Sequence, residues 1–432
     1  MKTCRTLKCS IVTAAVLAGY SGAAASAGFQ LLEQNASGLG NAYAGQAASA
    51  QDASTIFFNP AGMTLLPGRN AVGAVNFIRP SAEFTNTGST TASPLLPLGG
   101  NGGDAGDWAV VPNFYYSWQV NPKVFVGLGV NVPFGLKTEY DSNWVGRFHA
   151  ITSELKTLNI NPSVALKVSE TLSVGAGVNY QRADAKLSNA VNFGALGEGV
   201  ATVEGHDSAW GWNAGVLFSL SPDTRIGAAY RSSIGYKIDA SVAFANRPPA
   251  LAGQVPDGAV TADVRMPATA SLSLFHRLNP KWDLLADVSW TDWSTIGVLN
   301  IVRDNGRLLS TTPLHWKDSW RFSVGANYHY NNEWTFRFGA SYDQTPINEA
   351  DRTPRVPDND RTWLALGAQY RLSKQLAIDA GYAYLFVKDS SINLCNPPQA
   401  AANPPACAGK NNLVGNYEND IHILSMQLRY TY

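Results

Sequence analysis

From about Asn70 to Tyr432 the chain alternates apolar residues with polar or small ones, the period of a β-strand whose two faces differ. In 320–330, Trp320, Phe322, Val324, Ala326, Tyr328 and Tyr330 share one face, and Arg321, Ser323, Gly325, Asn327 and His329 share the other. In 376–387, Leu376, Ile378, Ala380, Tyr382, Tyr384 and Phe386 oppose Ala377, Asp379, Gly381 and Ala383. The final stretch puts His422, Leu424, Met426, Leu428, Tyr430 and Tyr432 on one face. The first strand, near 70–80, and the fourth, which holds Pro162, show the pattern least well; proline removes a ladder donor.

Connection lengths set the topology. Short turns fall at Asn121-Pro122-Lys123, Ser169-Glu170, Ser221-Pro222-Asp223, Asn279-Pro280-Lys281, Asn331-Asn332-Glu333 and Ser373-Lys374. Between them lie long connections near 81–106, 137–150, 185–206, 241–265, 298–313, 344–359 and 388–419. Six short turns and seven long loops predict about fourteen antiparallel strands, the arrangement of an outer-membrane barrel. A soluble sandwich would bury its apolar faces, whereas here Trp, Tyr and Phe gather at strand ends as in interfacial belts. No repeat of fixed length supports a propeller. The predicted fold class is an all-β membrane protein, a transmembrane barrel over 67–432 with long extracellular loops.

Residues 28–66 interrupt this pattern. The stretch GFQLLEQNASGLGNAYAGQAASAQDASTIFFNPAGMTLL is rich in small residues and has only Glu33 and Asp52 as charges. A compact non-strand segment ahead of a closed barrel is expected to plug it as a hatch of short helices. Residues 1–27 read as a secretory signal: Lys2, Arg5 and Lys8 form the basic region, Ile11 to Ala18 the apolar core, and Ala23 to Ala27 a small-residue site cut after Ser26 or after Ala27. No later run reaches the ~20 apolar residues a helical span requires.

Composition agrees with the pattern. Only 15% of the residues are charged and 11% are aromatic, yet mean hydropathy is −0.10, as expected of a wall with one lipid face and one wet face. The leader takes three of 32 basic residues and none of the 32 acidic ones, so the remainder is formally −3, without the basic excess of a nucleic-acid binder. Cys4 and Cys9 leave with the leader. Cys395 and Cys407, in a Pro- and Asn-rich loop, are a disulfide candidate in an oxidising compartment; a thiol metal site would need more ligands.

The six histidines, His149, His206, His276, His315, His329 and His422, are scattered, with no HExxH spacing, no GxSxG elbow and no phosphate-binding glycine loop. No cofactor, metal site or enzymatic activity is expected. Strand parity turns Arg225, Arg231, Asp239, Arg277, Asp283, Asp287, Arg321, Arg337, Asp343, Arg361 and Asp379 inward. Mixed signs suggest ion pairs that brace the wall and hold the plug, where an open porin would show a biased electrostatic strip.

The opening GFQL and SGLGNAYAG, the triplet Asn59-Pro60-Ala61, PFGLKTEY (133–140), YRS (230–232), WKDSWR (316–321), WTFRFGASYD (334–343) and VPDNDRTWLALG (356–367) together resemble the FadL family of outer-membrane transporters for long-chain fatty acids and aromatic hydrocarbons. The resemblance implies a fourteen-stranded barrel closed by an N-terminal hatch. It also implies passive uptake of a long-chain fatty acid or another hydrophobic small molecule. Substrate would be captured by loops, bound in the lumen, released by movement of the hatch and passed sideways into the membrane at a kink in the third strand. Gly28 and Phe29 match the part of the hatch that reaches the ligand, with Phe29 as an apolar lid. Asn59, Pro60 and Ala61 match the hatch signature, Gly135 the third-strand kink, and Asp343 an inward acidic position. Arg182, Arg231, Arg321, Arg337 and Arg361 are the basic lumen candidates.

One departure stands out. Some family members hold the carboxylate with basic lumen residues; Arg182 and Lys186 lie in that region, but the second position falls near Thr311-Thr312. Either another base such as Arg321 or Arg337 substitutes, or the ligand is an uncharged aromatic or alkane hydrocarbon. A porin for hydrophilic solutes and an outer-membrane lipid hydrolase are the alternatives from other classes. The expected setting is a monomer in the lipid and lipopolysaccharide of a Gram-negative outer membrane.

Overall fold

The computed structural model describes residues 28–432; the expected leader, with Cys4, Cys9 and Ala27, lies outside the described residues. Fourteen antiparallel strands close a barrel. Each strand pairs with the next in sequence, and the ring closes where Arg69–Asn86 pairs with Leu413–Thr431, from Asn70↔Thr431 to Asn86↔Gly415. Closure joins the first and last strands and so removes the two end edges of the sheet, as lipid demands, where an unpaired backbone group has no water to bond. Among the described residues no helix is long and apolar enough to cross a membrane. The outward face carries the lipid contact: Trp320, Phe322, Val324, Leu364, Leu366, Leu424, Met426 and Leu428 are all exposed, while Arg321, Ser323, Trp363, Ala365, Ile423, Ser425 and Gln427 between them are buried.

Several predicted long loops are paired strand. Leu172–Asn192 and Glu198–Ser221 run together as far as Asn192↔Glu198, so 185–206 is a hairpin. Val298–Arg303 and Leu308–Pro313 form a hairpin within 298–313, and the first strand continues through Pro80 to Asn86. Outside the bilayer both faces of a strand can be polar, so the alternation that marks a strand is lost there. The 388–419 connection contains a short strand, Ser390–Leu394, and short helices at Pro397–Ala402 and Pro404–Cys407, with Cys395 and Cys407 disulfide-bonded.

Two orientations differ from expectation. Asp239 faces outward: the seventh strand is interrupted between Thr224–Arg231 and Ile234–Ala245, and the break changes parity, so Arg231, Ile234, Tyr236 and Ile238 point in. Arg182 also faces outward, because Asn179, Gln181 and Ala183 hold the inner face; its guanidinium bonds exposed Asp184 at 2.7 Å.

The third strand is broken between Val124–Asn131 and Gly135–Glu139. Its ladder to the second strand ends at Phe114↔Val130, while Gly135–Glu139 pairs with the fourth strand. Backbone groups freed at the break bond residues 28–34 instead: Leu31 N–H donates to Pro133 O at 2.8 Å and Gly135 N–H to Phe29 O at 3.0 Å. The interruption itself spans Val132–Phe134, and Gly135 is the buried first residue of the resumed strand, with φ outside the left-handed region.

Candidate functional site

Residues 28–66 fold inside the barrel as short turns of helix, Ala36–Leu39, Gln46–Ser49 and Thr55–Phe58, followed by a 3-10 turn, Pro60–Leu65. Elements this short are marginal alone, so the wall must hold them. Asn59 is fully buried and does two jobs. Its Oδ1 accepts from Ala61 N–H at 3.0 Å, capping the turn that Pro60 begins, and its Nδ2 donates to Ala47 O at 2.7 Å and to Val216 O of the wall at 3.0 Å.

Wall arginines bind carbonyl oxygens of the segment. Arg225 donates to Ala48 O and Ser49 O, Arg231 to Phe57 O, Arg321 to Ala42 O and Arg429 to Gln51 O, at 2.9–3.2 Å. Behind them stand ion pairs. Arg337 bonds Asp379 at 2.7 Å and also reaches Gln51, and Arg321 bonds Asp287 at 3.1 Å. Gln427 bridges Asp379 to Asp52 of the segment. The wall also makes room with glycine: a Cβ at Gly227 would sit 1.8 Å from Ala47 O, and one at Gly339 2.1 Å from the carbonyl carbon of Asn41.

At the segment's leading end, Gly28 N–H donates to Asp358 Oδ2 at 3.0 Å, and Asp358 is paired with Arg361 at 2.7 Å. The Phe29 ring lies edge-on to Trp293 with centroids 4.8 Å apart, and 5.5 and 6.1 Å from Trp316 and Phe134. This cluster separates two spaces. On the loop side is an apolar cavity of about 180 Å³, bounded by Phe29, Leu155, Ile238, Val264, Trp316 and Val356. On the other side is a chamber of about 80 Å³, where Trp293 and Phe134 meet Arg231, Asp287, Arg321 and Asp343.

The arginines named from sequence thus divide. Arg231 and Arg321 meet Asp343 at the lower chamber, Arg337 is engaged with Asp379, Arg361 holds Asp358 beneath Gly28, and Arg182 lies outside. Trp293, Trp316 and Arg355 were not singled out from sequence. Both tryptophans sit where the strand pattern lapses, which is the one signal they give.

Neither carboxyl oxygen of buried Glu33 has a hydrogen-bond partner of ordinary geometry among the described residues. Burial pushes its pKa up to about 7 against the pull of backbone amides and Arg361, with Asp343 adding to the rise. Its backbone oxygen accepts from Asn76 and Asn113 of the first two strands.

Comparisons with known proteins agree with this architecture. The family described as outer membrane protein transport protein (OMPP1/FadL/TodX) matches residues 17–432. Outer membrane protein P1 of Haemophilus influenzae is 33% identical, over 87% of this chain and 89% of that protein. The long-chain fatty acid transport protein of Escherichia coli K12 is 29% identical, over 90% and 94%. The crystal structure of a Pseudomonas aeruginosa FadL homologue superposes with a TM-score of 0.86 at 27% identity, covering 94% of this chain and all of that one.

Proposed function

The chain belongs to the OMPP1/FadL/TodX family of outer-membrane transport proteins, and on that premise we propose that it is a passive uptake channel for hydrophobic compounds, long-chain fatty acids first among them. The observation that carries this reading is Phe29, a ring from the plugging segment that floors an apolar cavity open toward the loops. A greasy solute caught by the loops would enter that cavity and leave water behind at each step. Residues 28–66 act as a hatch whose leading end, Gly28 to Leu31, withdraws from the Phe29 position. Solute then leaves sideways at the break in the third strand, where Gly135 stands next to an unpaired stretch of the second. We read the protein as a channel and not as an enzyme.

A second reading, uptake of aromatic or alkane hydrocarbons, is favoured by the predominantly apolar surface of the cavity. Uptake of labelled oleate and of labelled toluene by a transporter-deficient Gram-negative strain carrying the protein tests both. Uptake of oleate above background supports the first, uptake of toluene alone the second, and neither overturns the proposal. A lumen filled by residues 28–66 argues against a hydrophilic porin, and low ionic conductance in a planar bilayer is the corresponding expectation.

A further inference from the structure

On the loop side of the apolar cavity stand two cations that form no ion pair among the described residues, Arg355 in the cavity wall and Lys410 in the wall of the adjoining spaces. Arg355 lines the cavity above Phe29, and it also borders two further spaces, of about 300 and 60 Å³, which Lys410 lines with it. The larger of these shares Leu187, Val203, Leu299 and Ile301 with the apolar cavity, so the two are continuous past Arg355.

The guanidinium is held by neutral groups alone. Nη1 donates to Thr152 O and Ser153 Oγ, at 3.1 and 2.9 Å, and Nη2 to Ser188 O at 3.4 Å. Its Nε and one Nη2 hydrogen are unused, and neither Arg355 nor half-buried Lys410 forms an ion pair among the described residues. Burial lowers Arg355 to about 10, and burial together with Arg355 lowers Lys410 to about 8. His149, the third basic group, accepts no proton here: burial and both cations hold it near 3, and its Nε2 pairs with Asn411 O at 2.9 Å. Of the acids that line these spaces, Asp351 pairs with His315 and Glu154 with Lys156, and the exposed Asp263 forms no ion pair with either cation among the described residues. Lys410 is kept in place by its own N–H to Cys407 O, at 3.1 Å, next to the Cys395–Cys407 bridge.

Two cations sharing a partly dry site without a carboxylate are costly unless an anion arrives. We propose that Arg355 and Lys410 form a headgroup anchor for a singly charged anionic amphiphile, whose apolar tail runs inward past Leu187 and Ile301 to end on Phe29. This deepens the uptake reading and rests on it. It supplies the base that strand parity and motif matching did not find, and it orients the substrate tail-first.

The test is equilibrium binding to protein in lipid nanodiscs, with oleate and its uncharged isostere oleyl alcohol as probes. Wild type should bind oleate at least about tenfold tighter, the scale of one partly desolvated charge-assisted pair. Arg355→Gln and Lys410→Gln should each weaken oleate about tenfold while leaving oleyl alcohol unchanged, and Arg355→Lys should recover part of the loss. Equal wild-type affinity for the two probes overturns the anchor without needing any variant to fold. So does oleate binding that is indifferent to both glutamine variants while oleyl alcohol still binds. Wild type that binds neither probe overturns the uptake reading, and the anchor with it.

Discussion

Phe29 rests edge-on against Trp293 with ring centroids 4.8 Å apart, and this contact divides the apolar cavity from the charged chamber beneath it. The two rings lie far apart in sequence, one in residues 28–66 and one in the 3-10 turn Trp293–Thr295. The seal therefore exists only while the segment is docked.

Phe29→Ala should loosen that seal. Three aromatic contacts worth about 0.5–1.5 kcal/mol each weaken docking of the leading end by roughly 2–4 kcal/mol. Hydrogen exchange should accelerate in 28–34 and stay unchanged in the strands. Equal protection of 28–34 in both proteins would remove Phe29 from the gate.

Glu33 makes docking depend on pH. Its folded pKa, about 7, lies above the ordinary 4.5, so the penalty is absent below pH 4.5, grows as pH rises to about 7 and is constant beyond. The full loss is on the order of 3 kcal/mol. The wild type should therefore lose stability to urea relative to Glu33→Gln between pH 5 and pH 7.5. A difference between the two proteins that does not change with pH would count against a buried titrating carboxyl.

Gly227→Leu should displace the plug and spare the wall. The new side chain points into the lumen, where even a Cβ would strike Ala47 O, and overpacking of this kind costs about 1–3 kcal/mol or more. A folded barrel with several-fold higher conductance in planar bilayers is expected. Unchanged conductance would mean that residues 28–66 do not block the lumen.

Gly135→Leu tests the sideways exit. Gly135 is buried beside the strand break and donates to Phe29 O, so bulk there should slow oleate uptake several-fold in a barrel that still folds. Normal uptake of both oleate and toluene would exclude this position from the route.

Much of the fold was legible because a barrel in lipid repeats one rule along the whole chain. Alternation shows the lipid face at Trp320, Phe322 and Val324, and turn spacing counts the strands. The berth of residues 28–66 leaves a trace as well: Gly227, Gly339 and Gly367 are inward-facing glycines in strands, which weaken a strand and are kept where another backbone comes close. The candidate site was only partly visible. Arg231, Arg321 and Asp343 meet at the lower chamber as parity implies, but Asp239 does not face in, because the break at 232–233 inverts the parity that reached Arg231.

By itself the sequence determined the lipid-facing side of most strands, how many strands close the ring, and that 28–66 is not strand, since each follows from local periodicity and composition. Only the tertiary structure decided what that segment touches. Gly28 reaches Asp358 across 330 positions, Gln427 joins Asp379 to Asp52, and Arg355 and Lys410 come from two loops to line one space. Such partners are set by barrel closure and by loops folding over one mouth, and neither leaves a periodic trace in the chain.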